Sequence, residues 1–248
     1  MSAVTVIYAL LFYAATAILV VGVARKITIY ARTPQPLKIP ITPAPTTRTG
    51  VWLRMLREVT VFESLFKANK WTWLFGWIFH FSLLVELIWH LRYFTEPVLF
   101  FLPWLQWFIN FTGYGMVLGL LGLWGRRFLV DRVRYISSPS DHLMLALLVA
   151  IGTSGLVMKY LIHTDIVALK AFFLGLMVFD WQPLPADPVL LIHLTLVALL
   201  MIIFPISKLL HAPGVFFSPT LNQVDNPREQ RWTAGWSAKI DNTKSRAG

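Results

Sequence analysis

The sequence predicts an all-α fold: an integral membrane bundle of five transmembrane helices, with the N-terminus outside and the C-terminus cytoplasmic. Three observations predict it. The 248 residues are 56% apolar and only 14% charged, whereas soluble domains carry about a quarter charged residues. Five apolar runs approach the roughly 20 residues that cross a hydrocarbon core about 30 Å thick. Under that topology all but three of the 22 Lys and Arg fall on inner segments, the exceptions being Arg92, Lys159 and Lys170. Such a bias is what fixes orientation in a membrane. The net charge of +10 therefore reads as a topology signal and a docking surface, not as a nucleic-acid signal. With so much chain in lipid, one bundle is expected over residues 1–211, with an inner loop at 25–70 and an outer interfacial segment at 163–186, followed by a cytoplasmic tail at 212–248.

The first span, Val4 to Ala24, carries no charge, and Arg25 and Lys26 follow it directly. A cleaved leader has its basic residues in front and a shorter apolar run, so this is read as a retained anchor. A proline-rich stretch then leads to VWLRMLREVTVFESLFKANK. That stretch is basic and amphipathic, and predicts a helix over Val51 to Lys67, lying on the membrane surface or serving as a cytoplasmic linker. The second span runs from Trp71 to Leu91 and the third from about Leu102 to Trp124. The basic loop after it ends in Ser138-Pro139-Ser140-Asp141, a capping residue, a proline at the first helical position and an acid at the third. It starts a fourth span that reaches about Leu161. Ile166 to Phe179 makes roughly 21 Å of helix, too short to span, and is expected to be interfacial or re-entrant. The fifth span is Val189 to His211.

Two spans carry paired histidines. His80 and His90 lie ten residues apart in the second, His193 and His211 eighteen apart in the fifth. Eighteen residues make five helical turns, roughly 27 Å of axis, so His193 and His211 would leave one face near opposite edges of the core. The spans run in opposite directions, which sets His80 level with His211 at the inner side and His90 level with His193 at the outer side. Each pair offers two axial nitrogens at one depth, as a six-coordinate b-type haem requires. The unequal spacings demand that the helices tilt or that His211 sit just past the helix end, and Pro205 can bend those turns. Ordinary core histidines are the plain alternative, but ionisable residues within membrane spans are costly and mark function. Cysteine is absent, which excludes disulfides, thiolate-held clusters and covalent c-type haem. His142 and His163 are read as interface histidines.

Other polar groups belong to the same argument. Glu86 lies four residues before His90 on one face; it could take a proton from a quinol, orient His90, or reach the headgroups. Lys159 could meet a quinone carbonyl or snorkel to the interface. Arg92 outside, and Arg126, Arg127 and Lys208 inside, could pair with haem propionates, although inner cations are expected in any case.

The histidine quartet, with IIFPISKLLH and DRVRYISSPSD, resembles the gamma-subunit family of respiratory nitrate reductase, a five-span dihaem cytochrome b, over most of the chain. PLPADPVLLIH and HAPGVFFSPTLNQVDNPREQRW are similar to its DsrM branch, the membrane cytochrome of the DsrMKJOP complex. The resemblance implies that His80 and His211 bind the haem nearer the cytoplasm, and that His90 and His193 bind the outer one, near a quinone site. It further implies a cytoplasmic iron–sulfur partner similar to heterodisulfide reductase (DsrK), with DsrJ, DsrO and DsrP as companions and DsrC reached indirectly. The long proline-containing first inner loop departs from nitrate reductase gamma subunits.

The expected function is transmembrane electron transfer through two haem b groups between a quinone pool and that iron–sulfur partner, as a subunit of an oxidoreductase in the cell inner membrane, and the resemblance implies a place in dissimilatory sulfur metabolism. A gamma-type cytochrome b subunit of nitrate reductase or another respiratory complex is the rival within the class. A haem-free transporter is the rival outside it, and the internal repeats of many transporters are not seen. The tail, with Trp232 and Trp236, is read as a docking segment.

Overall fold

A computed structural model of the protein describes residues 2–34 and 39–226, and among them every regular element is a helix. Among the described residues five helices are long and apolar enough to cross a membrane: Ala3–Arg32, Lys70–Tyr93, Leu102–Leu129, Pro139–Ile162 and Pro188–Ile206. The fold class and the number of spans are those expected. Of the tail, residues 227–248, with Trp232 and Trp236, lie outside the described residues.

Helix α1 (Ala3–Arg32) is capped by the Ser2 side chain on the Thr5 amide at 3.2 Å and outruns the apolar stretch by two basic turns. At 30 residues it is roughly 45 Å long, so those turns project past the hydrocarbon. The surface segment differs from expectation. In place of one helix over Val51 to Lys67 there are two, α2 (Arg48–Thr60) and α3 (Glu63–Ala68), parted at Phe62 with φ 52° and ψ 50°. Val59, Thr60 and Val61 are β-branched and weak helix formers. Two tryptophans also claim their carbonyls: Trp77 Nε1 donates to Thr60 O at 3.1 Å and Trp73 Nε1 to Val61 O at 2.7 Å. A left-handed phenylalanine costs about 1–2 kcal/mol, which these contacts offset. Glu58 braces the bend, its carboxylate accepting from the Ser64 amide and hydroxyl.

Helix α4 (Lys70–His90) starts under the Asn69 side chain, which accepts from the Thr72 amide at 2.8 Å. It packs along α5 (Leu102–Leu129) with backbones almost touching. A Cβ on Gly119 would stand 2.8 Å from Phe75 O and 2.9 Å from Phe79 N. Without a hydrophobic drive between helices in lipid, such close approach through small residues is what joins them. Gly119→Ala is therefore expected to destabilise the protein by about 1–3 kcal/mol through overpacking, read as an earlier thermal transition in detergent; an unchanged transition would refute this packing.

After α6 (Asp131–Ile136), the capping arrangement at Ser138 is found: the Asp141 carboxylate accepts from the Ser138 amide at 3.0 Å and opens α7 (Pro139–Val157). One wide π turn, Met158–Ile162, continues α7 to His163. The short apolar segment forms α8 (Ile166–Met177), 12 residues or roughly 18 Å. It does not cross the bundle; Leu169, Phe172, Phe173 and Leu176 pack against Ala9 and Phe12 of α1 and against Leu190 and Leu194 of α9 (Pro188–Ile203).

The last span also departs from expectation. It does not continue as one helix to His211, so His193 and His211 do not share one uninterrupted face. It ends at Ile203, tightens through Phe204–Ile206, becomes extended at Ser207 (φ −100°, ψ 170°), and turns again at Lys208–Leu210 before α10 (His211–Gly214). Pro205 has no N–H to continue the ladder, and it wedges against α1, where a Cβ on Gly22 would stand 2.5 Å from Pro205 Cβ. The Ser207 side chain then caps Leu209 at 3.2 Å. His211 sits past the helix end, the option the unequal spacings had left open.

The spans form an arc in which α4 packs on α5, α5 on α7, α7 on α9 and α9 on α1. The two histidine-bearing helices, α4 and α9, are not closely packed on each other; their packing is relayed through α5 and α7. Phe79, Met116, Leu120 and Leu148 make the core of that intervening part.

Candidate functional site

The four histidines share one chemical state. Nδ1 of His80 meets Gly76 O at 2.7 Å, Nδ1 of His90 meets Glu86 O at 2.6 Å, and Nδ1 of His211 meets Lys208 O at 2.9 Å. A carbonyl only accepts, so each Nδ1 carries the proton and each Nε2 keeps a free lone pair. His193 reaches the same state by another route. Its Nδ1 lies 2.9 Å from Ser154 Oγ, and that hydroxyl already donates to Ile151 O at 3.0 Å. The serine must then accept from Nδ1–H. This is how metal-bound imidazoles are held, with one nitrogen anchored and the other presented. His142 shows the opposite arrangement, its Nδ1 accepting from Trp124 Nε1 at 3.1 Å.

His80 and His211 face one another with ring centroids 5.9 Å apart and planes at 85°. Two imidazoles on one metal, each bonded at about 2 Å, place their centroids about 6 Å apart, so this pair fits a shared iron. His90 and His193 lie within electrostatic reach of each other, at the opposite end of the spans. On α4, Leu84 and Leu87 fall on the face between His80 and His90 and are exposed, an apolar wall of the kind a porphyrin needs. Among the described residues no three His, Asp or Glu side chains gather as they would around a tetrahedral metal.

A polar cluster lies near the second pair. Thr112 Oγ1 donates to Glu86 Oε1 at 2.8 Å. Lys159 Nζ donates to Ile109 O and Asn110 Oδ1, both at 3.0 Å, and lies within electrostatic reach of Glu86. It is the backbone carbonyl of Glu86, not its carboxylate, that holds His90. The carboxylate faces α5.

The family model described as nitrate reductase gamma subunit matches residues 64–225, from α3 past α10. The chain belongs to the nitrate reductase gamma subunit family. Two relatives are named Hdr-like menaquinol oxidoreductase cytochrome b-like subunit. That of Archaeoglobus fulgidus is 36% identical over an alignment covering 90% of this chain and 81% of the relative. That of Archaeoglobus profundus is 35% identical, covering 95% and 84%. Family and relatives alike place the chain among cytochrome b-type membrane subunits of oxidoreductase complexes.

The basic residues around the gamma-type core take varied positions. Lys208 Nζ donates to Asp141 Oδ1 at 2.6 Å, and Arg127 lies 3.7 Å from Asp141 Oδ2. Asp141 is buried and so anchors the turn that carries His211. Arg92 lies over the rings of Trp89 and Tyr93 at 4.8 and 5.9 Å, and Arg126 stands in the last turn of α5. A cavity of about 810 Å³ beside His211 is lined by Lys26, Tyr30, Lys208 and Phe217 among others. Lys26 was not singled out from sequence. Its position just past the first apolar run was visible, but the approach of α1 to His211 depends on Pro205.

Proposed function

We propose that this chain is a dihaem cytochrome b passing electrons between a quinol pool and a cytoplasmic iron–sulfur partner, as a DsrM-like subunit in dissimilatory sulfur metabolism. The observation that carries the reading is the common state of four histidines, each with Nδ1 anchored and Nε2 presented. In this reading His80 and His211 hold the inner haem, and His90 and His193 hold the outer one. The Lys and Arg distribution supports an N-terminus outside and the His80–His211 end in the cytoplasm. The relatives' names support menaquinol as the quinol and an Hdr-like partner over nitrate reductase. DsrK-like, DsrJ, DsrO and DsrP subunits, with DsrC beyond them, are the proposed company.

Haem iron, when bound, supplies the one-electron chemistry, and two such groups at different depths give electrons a path across the membrane. The chain's own residues do the rest. The carbonyls of Gly76, Glu86 and Lys208 fix three imidazoles, and Ser154 fixes the fourth. Glu86, oriented through one oxygen by Thr112, accepts one of the two protons that a quinol sheds on oxidation. Lys159 and Asn110 form a polar end that can bind the quinol oxygen. Lys26, with Arg126 and the partly engaged Lys208, Arg127 and Arg92, supplies positive charge for propionates.

A reduced-minus-oxidised spectrum of the purified protein, with extracted haem quantified, tests the reading. Two haem b per chain are expected. A protein purified from haem-replete membranes without b-type absorbance would overturn it.

A further inference from the structure

We infer that Phe62 is a positioning residue for His80: the bend between α2 and α3 holds its ring against the imidazole, sets the imidazole plane and keeps water from it. The inference rests on the haem reading above. Phe62 adopts φ 52°, a conformation glycine takes freely and a bulky residue resists. A glycine or asparagine would make the same bend with less strain, so the side chain has a use of its own. Its ring meets His80 edge-on, with centroids 5.1 Å apart and planes at 83°.

The bend is held from three directions. The Trp77 and Trp73 indoles, on the helix that carries His80, grip the carbonyls of Thr60 and Val61 just before Phe62. Glu58 reaches across to Ser64 just after it. These contacts fix where the ring points. On its other side His80 meets Phe79, with centroids 4.8 Å apart. An imidazole packed between two aromatic rings has little freedom to rotate, which keeps its plane near 85° to that of His211. The same packing covers the His80 Nδ1–Gly76 O bond, and that bond sets the basicity of the nitrogen offered to iron.

The test uses the haem-loaded full chain and two variants. Phe62→Gly removes the ring while relaxing the backbone, so folding is preserved. Phe62→Tyr restores the ring. For Phe62→Gly we expect both haems retained, with one of them changed. Its ferric electron paramagnetic resonance signal should move, because that signal reports the angle between the ligand planes. Its midpoint potential should fall, because admitted water favours the more positive oxidised form. The second haem should be unaltered, and Phe62→Tyr should return both readouts towards wild type. Loss of that one haem alone would also support the inference. An unchanged signal and potential in a two-haem Phe62→Gly protein would overturn it, as would equal shifts in both haems. A wild-type protein without haem would instead overturn the reading beneath it, and this inference with it.

Discussion

Replacing His80 with leucine removes one b-type haem, and replacing His211 removes the same one: each variant is expected to retain half of the haem and an identical residual spectrum. Replacing His90 or His193 should leave the complementary spectrum. The expectation comes from the facing rings of His80 and His211 at 5.9 Å and from the antiparallel run of α4 and α9. With one imidazole gone, the other would remain as an anchored donor with no partner to share a haem iron. The double replacement of His80 and His211 should lose no more haem than either single change, because the two act as one unit. Extracted haem per chain and low-temperature spectra check this. Residual spectra that differ between the His80 and His211 variants would break the pairing.

Glu86→Gln is expected to slow quinol oxidation by about 10²–10⁴-fold, the usual weight of a lost general base, while both haems stay. Glutamine keeps the shape and can still accept the Thr112 hydroxyl proton, so what disappears is the capacity to take up a proton. Turnover with a menaquinol analogue and an artificial acceptor, set against the unchanged haem spectrum, separates chemistry from assembly. Wild-type turnover in this variant would remove Glu86 from the proton path. An altered spectrum of the His90–His193 haem would point to an orienting effect instead.

The elements legible in the sequence were those governed by composition and local capping. Five apolar runs located five spans, and Ser138–Asp141 located the start of α7, because a capping box needs only neighbours in sequence. Matching the histidine pairs by depth rests on the antiparallel course of the spans and belongs to the proposal. What stayed hidden depends on contacts between distant segments. The division at Phe62 follows from two indoles more than ten residues downstream. The break at Ser207 was foreshadowed by Pro205, but its extent reflects a wedge against Gly22 of α1. The tautomers of the histidines were out of reach, since His193 depends on a serine of another helix. The sequence leaves Lys159 to snorkel or to meet a quinone, and its turn towards Ile109 and Asn110 depends on the π turn that ends α7.

The separation of α4 from α9 bears on how the protein is made. Each proposed haem takes one ligand from either side of that seam, and more than a hundred residues of chain lie between His90 and His193. During synthesis neither pair exists until the last span has entered the membrane. Until then the early helices hold half-sites that cannot discriminate a correct cofactor from none. With both haems bound as proposed, their insertion would be the closing step of biogenesis, tying α4 to the last span. A haem-starved cell should accumulate chains that are fully inserted yet unlatched along one edge, and quality-control proteases would find them there first.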